Sequence, residues 1–190
     1  MTIDRLETPR LVIRRFVESD LDGIAKIQDA CFGHAPRDGR KAWIEWTTRN
    51  YNALAQLHQP PYGDHAITKD DVVIGAVGLV QSFGPFAKLP VFSERLRIEP
   101  SDLFTPEMGL FWAIAPEQQG HGYATEAAGA LVRFAFEQLN AERLVATTTH
   151  DNLASIEVMR KLGMSIEKNP EAEPPWFQTI GVLFNPRSKR

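Results

Sequence analysis

The residues best placed to do chemistry lie in Trp112-Ala-Ile-Ala-Pro-Glu-Gln-Gln-Gly-His-Gly-Tyr-Ala-Thr-Glu126. The apolar run Met108 to Ala115 reads as a strand, Gly120-His121-Gly122 as a tight turn, and Tyr123 as the start of a helix. A helix N-terminus carries unpaired N–H groups and about half a positive elementary charge. Gly120 and Gly122 can take positive φ and bring bare backbone up to a ligand. Together these features make an anion site suited to a phosphate or diphosphate. A P-loop needs Gly-Lys-Ser/Thr after its glycines, and here Gly122 is followed by Tyr123-Ala124-Thr125. A dinucleotide fingerprint fits only in part. Asp151 follows the next strand, but Ala115 to Gln119 separate strand from glycines, Thr125 stands where the third glycine belongs, and fewer than forty residues follow Asp151. A structural turn with no ligand is the remaining alternative.

Other reactive side chains are sparse. Cys31 is the single cysteine and falls in the apolar-periodic stretch Ile24, Ile27, Cys31, Phe32, which reads as a buried small hydrophobe rather than a nucleophile. His34, His58 and His65 have no metal-ligand spacing, so no metal is expected. His121 and His150 flank the turn and the following strand; the first reads as a solvated turn residue, the second as a candidate proton relay.

The elements that must position this turn are legible in outline. Leu11 to Phe16 reads as a strand, and Ser19-Asp20 as the cap of a helix carrying Leu21, Ile24, Ile27 and Cys31 and ending at Gly33. A second helix is expected from Lys41 to Leu57, closed by Pro60-Pro61-Tyr62-Gly63. Trp43, Trp46 and Tyr51 on it are candidates for core or for the wall of a substrate pocket. Strands are expected at His65–Thr68 and Val72–Gln81, joined by a turn at Lys69-Asp70-Asp71. From Ser82 to Pro106 the pattern is broken by Pro85, Pro90, Pro100 and Pro106, leaving either an edge strand at Val91–Ile98 or a functional lid. A helix over Tyr123–Leu139, a strand over Arg143–Thr149, a helix over Asn152–Leu162 capped by Gly163, and a strand over Phe177–Phe184 complete a mixed α/β order.

At 190 residues, with 43% hydrophobic and 24% charged residues, the chain suits one soluble globular domain. A net charge of −3 provides no whole-molecule attraction to nucleic acid or acidic membranes. The basic clusters Arg10, Arg14, Arg15 and Arg187, Lys189, Arg190 read as solvated faces. A lone cysteine and no apolar run of signal-peptide or membrane-span length predict a cytoplasmic location.

Gln119-Gly-His-Gly-Tyr-Ala124 resembles the Gln/Arg-x-x-Gly-x-Gly/Ala motif of the GNAT N-acetyltransferase superfamily. The longer run through Thr125-Glu126-Ala127 is similar to its ribosomal-protein-alanine N-acetyltransferase branch. Thr8-Pro-Arg-Leu-Val-Ile-Arg14, Asn152-Leu-Ala-Ser155 and Val158-Met-Arg-Lys-Leu-Gly-Met164 agree in order and spacing. The resemblance covers residues 8–184 as a single domain. It implies an α/β (α+β) fold with a mostly antiparallel twisted sheet, flanked by helices and splayed into a V between the fourth and fifth strands, with acetyl-CoA in the V. By position, the backbone of Trp112, Ala113 and Ile114 would pair with the pantetheine. The amides of Gln119, Gly120, His121, Gly122, Tyr123 and Ala124 would hold the diphosphate. Asn152 would bond the pantetheine or acetyl end, and Ser155 would lie near the sulfur.

The implied reaction is direct acetyl transfer to a primary amine, on a small molecule or a protein N-terminus. The amine must lose a proton, the developing oxyanion needs a donor, and the thiolate leaves with or without a proton. Many family members place a Tyr seven residues after this Asn as general acid; here that position is Met159, which moves the role to Ser155. A Ser155 hydroxyl bonded to its own backbone is the alternative. Glu107, near the head of the fourth strand, is the candidate base, two residues earlier than the family's Glu. Trp176 would line the far side of the pocket. A non-catalytic acyl-CoA-binding module on the same fold is the rival reading, and a homodimer is compatible with either.

Overall fold

The computed structural model describes residues 2–171 and 173–188; Lys189 and Arg190 of the basic tail lie outside the described residues. Among the described residues there are eight strands and five α-helices, and across the sheet the strands read β1-β2-β3-β4-β5-β6-β8-β7. The chain divides into two compact units. The first runs to Val80 and resumes over Phe111–Leu131; the second takes Gln81–Leu110 and the residues from Val132 onward.

In the first unit, β1 (Arg5–Glu7), β2 (Val12–Arg14), β3 (Gly63–Lys69) and β4 (Val72–Gly84, to Val80) form an antiparallel ladder with Ile13 opposite Ile67 and Ala66 opposite Ala76. The expected first strand is thus Val12–Arg14, and β1 is an addition that its charged ends concealed. Helices α1 (Leu21–Phe32) and α2 (Arg37–Gln56) cover one face. Ile24 and Ile27 of α1, Ile44 of α2, and Phe16, Ala66, Ala76 and Ala115 make the core, with Trp43 and Cys31 packed on it. Burying each of these isoleucines and the phenylalanine stabilises by about 1.5–3 kcal/mol. Asp20 does stand at the start of α1, but its carboxylate accepts from Val17 N (2.9 Å) and from Arg14 Nη1 and Nη2 (2.7 and 2.9 Å) rather than capping α1. The close of β4 on β5 needs glycine: a Cβ at Gly75 would lie 2.4 Å from Ala113 O.

The second unit holds β5 (Thr105–Ile114) as far as Leu110, then β6 (Arg143–Thr148), β8 (Thr179–Phe184) and β7 (Ser165–Lys168), with helices α3 (Pro90–Leu96) and α5 (Leu153–Lys161). Val91 to Ile98 is therefore not an edge strand. Pro90 starts a helix, where its missing N–H costs nothing, and the helix buries Phe92 against Phe86, Phe177 and Val145. β7 is a short, partly exposed strand that had no apolar signature to betray it. The fourth and fifth strands of the sequence reading are β5 and β6. They run parallel and are paired at one position among the described residues, Gly109 with Val145, whereas β6 and β8 pair at six. Helix α4 (Tyr123–Glu137) buries Ala127, Ala128, Leu131 and Ala135, the stripe its spacing predicts.

Candidate active site

In the first unit the end of β5 turns through a 3-10 segment, Pro116–Gln118, into Gln119–Gly122 and α4. Gly120 and Gly122 take φ of 78° and 80°, in the left-handed region that favours glycine. Among the described residues, the amides of Gly120, His121, Gly122, Tyr123 and Ala124 donate to no protein atom, and a Cβ at Gly120 would meet nothing within 4 Å. The first bond of α4 is Glu126 N to Gly122 O (3.0 Å). Five open amides at a helix N-terminus fit a diphosphate in number and in sign.

Two of the expected residues make contacts within the protein. The Gln119 amide is donated to Pro116 O (3.2 Å), so it is not among the open ones; instead its side chain donates to Ile114 O (3.0 Å) and braces the strand end. The Ala113 carbonyl is turned toward Gly75 on β4. Neighbouring residues of a strand direct their polar groups to opposite edges. By that alternation the polar groups of Trp112 and Ile114 point to the other edge of β5. Cys31 Sγ also lies 3.6 Å from Ile114 O, and burial, with Glu117 adding, pushes its thiol up, as suits an unreactive core cysteine.

His121 is exposed and stacks on Tyr123 at 5.5 Å. Trp43 meets Phe16 edge-on, and the Tyr51 hydroxyl donates to Asp64 O (2.6 Å) while accepting from Phe16 N (3.1 Å), so both serve the core. Trp46 faces outward on α2. Buried His65 has each ring nitrogen at a backbone carbonyl, and burial lowers it to about 4, which keeps it neutral.

Asp64 was missed from the sequence because a strand-start Asp looks like an ordinary turn residue. It is half-buried on β3, and burial raises its carboxyl to about 6 from 3.8. The folded state therefore holds this proton more tightly than the unfolded chain. Charging Asp64 costs stability as pH rises from about 4 to 6, and the whole cost persists above 6. Asp64→Asn is expected to stabilise the protein by about 2 kcal/mol at pH 7.5, after discounting for partial exposure, with the gain gone below about pH 4. Paired thermal melts across that range check it; a gain independent of pH would refute the assignment.

In the second unit Glu107 is no free base. Its side chain is 8% exposed, and Arg143 holds both oxygens, Nε at 2.9 Å and Nη2 at 2.7 Å. Each oxygen is thus already engaged by a guanidinium. Asn152 caps α5, its Oδ1 accepting from Ser155 N (3.1 Å) and its Nδ2 donating to Thr148 Oγ1 (2.9 Å). One amide hydrogen and lone-pair capacity are left over. The half-buried Ser155 hydroxyl makes no hydrogen bond among the described residues, so the local bond that would have tied it up is not made. Met159 is fully buried. His150 Nδ1 lies 3.0 Å from Thr179 Oγ1, and half-exposed Trp176 leans edge-on against Phe177. No described helix is long and apolar enough to cross a membrane.

The chain belongs to the GNAT acetyltransferase family, whose domain matches residues 10–165. It is similar to an uncharacterized N-acetyltransferase, YnaD, of Bacillus subtilis (strain 168), with 41% identity over 63 residues. That match spans 33% of this chain and 36% of the relative's length. Among solved structures it resembles the ribosomal-protein-S5-alanine acetyltransferase of Vibrio fischeri, with a TM-score of 0.68 and 15% identity over 98% of this chain and 99% of that one. An acetyltransferase of Agrobacterium tumefaciens str. C58 gives 0.64 and 22% over 96% and 95%. A ribosomal L7/L12 alpha-N-protein acetyltransferase solved in complex with coenzyme A gives 0.66 and 14% over 95% and 98%. At these identities the likeness is one of fold.

Proposed function

We propose that this protein moves an acetyl group from acetyl-CoA directly to a primary amine, on a small molecule or a protein N-terminus, in the cytoplasm. The observation that carries the reading is the row of open amides from Gly120 to Ala124, which includes two left-handed glycines. Acetyl-CoA supplies the activated thioester. The chain's own part is to bind and orient: the turn holds the diphosphate, and Trp112 with the Ile114 N–H aligns the pantetheine. Asn152, through its spare amide hydrogen, bonds the pantetheine or acetyl end. Ser155, with its hydroxyl unengaged, donates a hydrogen bond to the departing thiolate, which takes its proton from solvent. An alkyl thiol has a pKa near 8.5, so a weak donor suffices. Glu107 is assigned to structure, and the amine loses its proton to solvent. Residues 8–184 act as one domain, in keeping with a family match that spans both units.

Titration calorimetry with acetyl-CoA is expected to give saturable, one-to-one binding in the micromolar range; no heat at millimolar cofactor would end the reading. The buried Met159 where a phenol is usual, and the tied Glu107, favour the rival of a binding module without catalysis. Thiol release from acetyl-CoA in the presence of a panel of amines separates the two, since the rival releases none above the rate in water.

A further inference from the structure

The segment Thr8-Pro-Arg-Leu, which no catalytic role uses, comes back in three dimensions against the diphosphate turn. The Arg10 guanidinium donates through Nε to Glu126 Oε2 (2.6 Å), where Nη2 also forms the ion pair (2.6 Å), and through Nη1 to His121 O (3.0 Å). It lies 4.8 Å from the Tyr123 ring centroid. The other oxygen of Glu126 accepts from Thr8 Oγ1 (2.7 Å) and Arg10 N (2.9 Å). Burial works to raise the Glu126 carboxyl, but the bonds from Thr8 and Arg10 outweigh it and leave it below the usual carboxylate range.

We propose that Arg10, with Glu126 as its anchor, is a positioning residue for acetyl-CoA: it fixes the His121 carbonyl and thereby aims the Gly122 amide outward. The inference rests on the acetyl-CoA reading above. Its physical basis is the trans peptide, in which C=O and N–H point in opposite directions. Holding His121 O at Arg10 turns the Gly122 N–H away from Arg10. A turn with two glycines is otherwise loose, and ordering it on binding would cost affinity. The pair also solves a charge problem. Glu126 in the first turn suits the helix dipole, yet a bare carboxylate there would repel a diphosphate. Arg10 cancels that charge, and the four donors to Glu126 leave it no orientation facing the ligand.

The test compares wild type, Arg10→Ala, Arg10→Gln and Arg10→Ala/Glu126→Gln with two donors, acetyl-CoA and acetyl-pantetheine, which lacks the diphosphate. Arg10→Ala is expected to raise KM for acetyl-CoA about tenfold or more with kcat within about twofold, and to leave acetyl-pantetheine kinetics unchanged. Adding Glu126→Gln should recover part of the loss, because the unpaired charge is gone. Arg10→Gln, which can still reach the His121 carbonyl, should fall between. If wild type binds acetyl-CoA and the Arg10 variants match it, or lose both donors equally, Arg10 is merely structural or idle and the proposal fails alone. Wild type that binds no acetyl-CoA overturns the functional reading and this inference with it.

Discussion

Replacing Gly122 with valine is expected to weaken acetyl-CoA binding by at least about 100-fold while leaving the domain folded. At φ of 80° a residue with a Cβ is strained by about 1–3 kcal/mol, and a β-branched one by more. The chain relieves that strain by rotating toward negative φ, which carries the Gly122 and Tyr123 amides off their common target. Each 1.4 kcal/mol lost is about a factor of ten, and several open amides are lost at once. The same strain should lower stability by about 1–3 kcal/mol and still leave the domain folded, because the nearest atom to a Cβ there is Arg10 Nη2 at 3.5 Å, an ordinary contact. Gly122→Ala separates backbone strain from bulk: it should show most of the affinity loss with none of the crowding of Arg10. Calorimetry with acetyl-CoA beside a thermal melt reads both quantities. Unaltered affinity in either variant would mean that the open amides do not face the cofactor.

The second large effect concerns stability. Arg143→Ala should cost about 3–5 kcal/mol, since it leaves the nearly buried Glu107 carboxylate without its partner. For a chain of this size that is a fall in melting temperature of roughly 10 °C. Glu107→Gln in the Arg143→Ala background should restore much of it by removing the stranded charge. The same glutamine variant tests catalysis. Loss of a general base typically lowers rate by about 10²–10⁴-fold, whereas a structural Glu107 leaves kcat within a few-fold of wild type below the melting range. A hundredfold drop in kcat with intact folding would return Glu107 to the chemistry.

Several corrections share one cause. Glu107 is a candidate base by its likeness to the family's Glu, and only the arrival of Arg143, 36 residues on, shows that each of its oxygens accepts from a guanidinium. Val91 to Ile98 alternates well enough for a strand, yet the burial of Phe92 among Phe86 and Phe177 selects a helix. Local pattern is a weak guide when packing partners are distant and the segment is rich in proline. The same limit hid Arg10. Its residues were visible as part of a family-like segment, but nothing within that segment says that it meets Glu126, 116 residues away.

What the order of amino acids determined by itself was local and steric: two glycines before a helix permit a left-handed turn that bares its amides, and the alanine-rich stripe behind it suits a core-facing side. What the tertiary structure decided was which of the polar groups remain available. Availability is a property of partners, and Gln119, Glu107 and Ser155 differ in it solely because Pro116 and Ile114, Arg143, or no described atom happens to stand opposite.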